Sequence, residues 1–257
     1  MKKLSEKIKE SRLSEFTEKI QEKEKIIKIA KFASVLALAA ILMSFISSLN
    51  LEMRFPRRQV AMHTNAVLQA SSVDTQFYEH SIIIPEDSPV LEDASEKLTR
   101  IGMEERDIEG SRQFLATSLH PEDENIVDEY TKNLRAQGHI VYTSPALIDI
   151  QGTDEPFQVD IIPECVGWIG MFAIVSLIIA YPDANKKDKF LGIVLSIPLV
   201  HLMNIVRLST TIYAGWARGI QFLDLVHDFL WRTLLIIWAL LLWIIWIKYI
   251  AGEDEEE

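Results

Sequence analysis

The chain has 257 residues, 49% of them hydrophobic and 25% charged, with a formal net charge of −11 and a mean hydropathy of +0.12. Positive hydropathy beside an ordinary share of charge means that the apolar residues are gathered in runs, which excludes a purely soluble enzyme, a disordered chain and a collagen-like or repeat protein. A single cysteine excludes an intrachain disulfide framework, and a pI of 5.1 leaves no basic footprint for nucleic acid.

Residues 1–31 hold ten Lys/Arg and six Glu, with Leu4, Ile8, Leu13, Phe16 and Ile20 at helical spacing. They read as a charged cytoplasmic helix. Residues 32–51 are uncharged for 20 positions, enough for one span, and the run is too long and starts too late for a cleaved signal peptide. This is the expected transmembrane helix 1.

Residues 51–164 carry 22 Asp/Glu against 9 Lys/Arg. The block 52–164 is long enough for a core of its own. Stretches 81–85, 140–144, 147–151 and 157–162 read as strands, and 90–101, 107–118 and 121–137 as helices. A small extracytoplasmic α+β domain is expected. His63, His80, His120 and His139 are scattered through it and read as surface or structural histidines.

Residues 165–250 hold three more apolar runs, at 165–182, 190–216 and 222–249, followed by an acidic tail at 251–257. The fold class expected is therefore an α-helical polytopic membrane protein, with four transmembrane helices and the α+β domain between spans 1 and 2. Lys/Arg in short loops favour the cytoplasm. The leader and the loop bearing Lys186, Lys187 and Lys189 both fall inside when there are four spans, which puts both termini in the cytoplasm and residues 51–164 outside.

Three reactive residues then share the outer leaflet: Cys165 at the start of span 2, Arg207 in the outer half of span 3 and His227 in the first turns of span 4. An Arg in a span costs about 2.5–3.5 kcal/mol and normally faces the protein interior. His201, Asn204, Arg207/Leu208 and Thr211 form one polar stripe; Asp224, His227/Asp228 and Arg232 form another, and the two are expected to face each other. Gly167 and Gly170 would admit a neighbouring helix. A thiol at a helix N-terminus, near an Arg and a His, has surroundings that lower its pKa and suit it to nucleophilic work. The alternatives are an inert buried Cys165, an ion pair of Arg207 with Asp224 or Asp228, and a structural His227. No metal-ligand spacing is present, and neither a metal nor a cofactor is expected.

The Pro-Glu-Cys-x-Gly at 163–167, Asn204-x-x-Arg207 and the His227 opening the last run resemble the archaeosortase/exosortase family of multi-span prokaryotic membrane cysteine transpeptidases. The resemblance covers about residues 155–235. Val166 stands where that family usually has Ser, Thr or Ala, and many members have more spans. The resemblance implies catalytic roles for Cys165, Arg207 and His227, with Asn204, Asp228 and Glu164 in support. Arg takes the third catalytic position in some archaeal relatives, which keeps Arg232 beside His227 as a reserve candidate. It also implies substrates: exported proteins with a C-terminal motif, hydrophobic helix and basic cluster. Cleavage at the outer face of the cell membrane would be followed by transfer to an amine acceptor such as a lipid headgroup, or to water. A different class, a membrane receptor or assembly subunit, would keep its function in Cys165→Ser.

Overall fold

The computed structural model describes residues 2–49, 53–151, 157–227 and 232–251. The acidic tail beyond Ala251, residues 152–156 and Asp228 lie outside them. The chain divides into two compact units.

The first unit is helical. Its helices are α1 (Lys2–Ser48), α5 (Trp168–Ala180), the first half of α6 (Lys186–Arg218) and α8 (Arg232–Trp246), which continues into a π-helical turn, Ile247–Ala251. Leader and first span form one helix, so no break occurs near residue 31. Ile174, Ile178, Val200 and Trp246 make the buried centre, and the Trp246 indole donates to the Asp188 carbonyl at 3.0 Å. Leu38, Ile41 and Phe45 of α1 lie about two-thirds exposed, as do Phe190 of α6 and Ile236 of α8. Apolar side chains presented outward along helices of this length are lipid-facing rather than water-facing. Lys28 pairs with Asp183, which fastens the end of the leader beside the loop that opens α6. The two basic segments assigned above to one side of the membrane therefore meet.

Among the described residues, three helices are long and apolar enough to cross a membrane: Gln21–Ile46, Lys186–Arg218 and Thr233–Ala251. The expected second span is shorter, since α5 has 13 residues. At 1.5 Å per residue it covers about 20 Å of a hydrocarbon core of about 30 Å. In the last apolar run, α7 (Ile220–Asp224) runs into a π-helical stretch at 225–227, and α8 begins at Arg232; residues 228–231 lie outside the described residues.

The second unit is α+β, as expected from its sequence. Two antiparallel sheets, β1-β6-β7 and β3-β4-β2-β5, carry α2 (Arg54–Ala70), α3 (Leu91–Arg100) and α4 (Pro121–Ala136). The strands are β1 (Thr75–Tyr78), β2 (His80–Pro85), β3 (Glu104–Ile108), β4 (Ser111–Ala116), β5 (Tyr142–Ser144), β6 (Leu147–Ile150) and β7 (Phe157–Asp160). Its core gathers Ile82 and Ile84 from β2, Phe114 from β4, Leu98 from α3 and Val127 and Leu134 from α4. Residues 107–118 are a hairpin and not the expected helix. Ile108 pairs with Ser111 across Glu109-Gly110, where Gly110 at φ +67° closes the two-residue turn. The helix α2 and strand β1 were not foreseen.

The α+β unit also includes the second half of α6 and α7. This half of α6 brings His201, Asn204 and Arg207 into the same unit as the strand that leads to Cys165.

Candidate active site

Cys165 sits on a 3₁₀ turn, Pro163–Val166, between β7 and α5. Pro163 opens the turn, where its missing N–H and fixed φ cost nothing, and the Cys165 amide closes it by donating to the Ile162 carbonyl at 2.9 Å. The approach strand is fastened. Arg57 of α2, 7% exposed, donates to the Ile161 carbonyl and pairs with Asp160 at 2.9 Å, and Ser144 also donates to Asp160. The nucleophile candidate thus sits at the end of a tethered segment, with its side chain half-buried.

Gly167 ends the turn at φ +81°. A Cβ there would stand 2.9 Å from the Asn204 side-chain carbon, so only glycine lets α6 come this close. The expected close approach at Gly167 is present. At Gly170 a Cβ would meet Val200 at 3.5 Å, an ordinary contact, so that glycine is not required by packing.

The short distance at Gly167 serves a hydrogen bond. Asn204, 1% exposed, donates its Nδ2–H to the Cys165 backbone carbonyl at 2.7 Å. Its described bond is thus to the cysteine turn. Arg207, one turn further along α6 and 8% exposed, lies against the thiol and favours its anionic form. The Asn204 Oδ1 and Arg207 Nε atoms are buried without a hydrogen-bond partner among the described residues. Thr210 and Thr211 donate to the Arg207 carbonyl, at 2.9 and 2.8 Å.

The thiol itself differs from expectation. Cys165 lies on a separate 3₁₀ turn ahead of α5 and not in the first turn of that helix. Burial pushes its pKa up. The Arg207 charge and a backbone hydrogen bond from Ile162 pull the other way, and Glu164 and Asp160 add to the rise. Glu164 is exposed on the same turn, where its charge opposes the thiolate.

The other candidates are placed less closely. His227 lies half-buried in the π-helical stretch at 225–227 that continues α7. Leu223 of α7 packs over Gly215 of α6. Asp228 lies outside the described residues, as do the side chains of Asp224 and Arg232. The described partners of the α6 stripe are the cysteine turn and α2, where His63 Nδ1 meets His201 Nε2 at 3.1 Å. That pair was missed because the two residues stand 138 positions apart, and α2 itself was unforeseen.

Residues 131–244 match the transmembrane exosortase family (Exosortase_EpsH). The matched region contains Cys165, Asn204, Arg207 and His227 and covers somewhat under half of the chain. No curated protein and no solved structure matches.

Proposed function

We propose that this chain, whose residues 131–244 match the transmembrane exosortase family, is a membrane cysteine transpeptidase that processes exported proteins at the outer face of the cell membrane. The observation that carries the reading is the convergence of Asn204 and Arg207 on Cys165, a polar cluster made by two segments of a largely apolar chain. Buried cations and unpaired amides are costly in such surroundings and are characteristic of functional sites.

In this mechanism His227 takes the thiol proton and the Cys165 sulfur attacks the scissile carbonyl of the substrate. The Arg207 guanidinium stabilises first the thiolate and then the tetrahedral oxyanion. As the C–N bond breaks, His227 returns the proton to the leaving amine, and the substrate's new C-terminus is held as a thioester on Cys165. An amine acceptor, such as one on a lipid headgroup, then attacks the thioester and regenerates the thiol; water in its place would give simple proteolysis. Asn204 fixes the backbone carrying the sulfur. The substrates fitting this reading carry a C-terminal motif, a hydrophobic helix and a basic cluster, the helix lying in the bilayer beside the spans. Four spans, with α5 as the short second one, leave both termini cytoplasmic and the cysteine outside.

The test is co-expression with an exported reporter bearing such a C-terminal signal. Wild type should release the hydrophobic tail, and Cys165→Ala should leave the reporter intact. A hydroxylamine-labile adduct on Cys165 identifies the thioester. Tail release by Cys165→Ala at the wild-type rate would overturn the reading.

A further inference from the structure

A cavity of about 660 Å³ opens in the α+β unit between α2, α4 and the β2–β5 edge. Its charged wall is made of Arg54, Arg57 and Arg58 from α2 and Lys132 and Arg135 from α4, with Asp128 as the one carboxylate. Five cations to one carboxylate runs against the composition of a block with 22 acidic and 9 basic residues, so the arrangement concentrates scarce positive charge at one place. Three of these cations are held by acids: Arg54 by Asp128, Arg57 by Asp160 and Arg58 by Glu124. Pinned guanidinium groups lose little freedom when they receive a ligand. Lys132 is exposed and has no ion-pair partner among the described residues. Arg135, also exposed, donates only to neutral oxygens, the Val141 carbonyl at 3.2 Å and the Thr143 hydroxyl at 2.6 Å. The rim therefore keeps two cations unneutralised by any described carboxylate.

We infer that this cavity binds a phosphate-bearing ligand, with Lys132 and Arg135 holding the phosphate at the rim and the α2 arginines behind it. Guanidinium forks match phosphate oxygens in bidentate geometry, and charge-assisted bonds of this kind are about twice as strong as neutral ones. The volume exceeds that of a single ion. It admits an organic body beside the phosphate, against Ile82, Val127 and Pro145. A soluble phosphomonoester and a phospholipid headgroup share this chemistry. The site stands apart from the thiol chemistry and does not rest on it. Arg57 links the two, because it lines the cavity and also holds the Ile161 carbonyl four residues ahead of Cys165.

The test uses the full-length chain in phosphatidylcholine nanodiscs, titrated calorimetrically with sn-glycerol 3-phosphate and with inorganic phosphate. Saturable one-site binding of glycerol phosphate is expected, weakened at least tenfold in Lys132→Ala/Arg135→Ala and unchanged in Arg100→Ala, a charge control paired with Glu96 on α3. Lys132→Glu replaces the double variant if the latter does not fold. Discs containing phosphatidylglycerol separate the sources: competition with glycerol phosphate assigns the phosphate to a lipid, and unchanged binding assigns it to a soluble molecule. The inference is overturned if none of these probes binds saturably, if the rim variants bind as wild type does, or if Arg100→Ala weakens binding as much as they do.

Discussion

Asn204 of α6 donates to the backbone carbonyl of Cys165 at 2.7 Å, and it reaches that carbonyl only because residue 167 has no side chain. A polar residue on a long apolar helix is thereby spent on fixing two residues of an irregular turn. The bond ties the turn that carries the sulfur to α6, in addition to the turn's own backbone bonds such as that from the Cys165 amide to the Ile162 carbonyl.

Asn204→Ala removes the donor and leaves the Cys165 carbonyl unsatisfied. The stability cost is expected to be about 1–2 kcal/mol, read as a lowered thermal midpoint in detergent. Processing of a reporter should fall by about tenfold or more, because misplacing a nucleophile by a fraction of an ångström costs far more rate than stability. Processing at the wild-type rate would show that the bond is not needed.

Gly167→Ala is expected to be damaging where Gly170→Ala is tolerated. At 167 the new Cβ meets Asn204 at 2.9 Å and φ is +81°, so strain of about 1–3 kcal/mol adds to the clash. At 170 the new contact is 3.5 Å in ordinary helix. The pair is compared by thermal unfolding and by reporter processing, and equal behaviour would contradict the packing described here.

His80, 6% exposed, has its pKa pushed down to about 4, first by burial and then by the Arg58 charge, with Glu124 opposing. Because the folded value lies below the unfolded 6.5, the neutral ring contributes stability above pH 6.5, and that contribution is lost as pH falls from 6.5 towards 4. Between pH 7 and 5, above the range where most carboxylates protonate, the loss from this residue is about 2 kcal/mol. His80→Gln keeps an acceptor for Arg58 and should flatten the dependence of the thermal midpoint over that interval. An unchanged slope would remove His80 as its cause.

Much of the site was legible because its chemistry is unusual for its surroundings. A lone cysteine, an arginine in an apolar run and an asparagine one turn before it stand out at any register of the helix. The partner of Asn204 was not legible, since a backbone carbonyl carries no sequence label. In α2 the buried face is Arg57, Val60, Ala61, Thr64 and Leu68, a helical spacing in which the first and fourth members are polar, so the apolar periodicity is broken. Arg57 is buried because Asp160 and the Ile161 carbonyl receive it, and those contacts are more than 100 residues distant. The hairpin at 104–116 was misread because Phe114, Leu115 and Ala116 are all buried, which hides the two-residue alternation of a strand. The turn signal Glu109-Gly110 was the better guide.

The most direct test of the central claim is the alkylation rate of Cys165, the chain's only thiol, against pH in wild type and Arg207→Ala. If Arg207 stabilises the thiolate, the apparent thiol pKa should rise in the variant, and alkylation at neutral pH should slow by several-fold. Superimposable profiles in the two proteins would contradict the pairing and with it the proposed activation of the nucleophile.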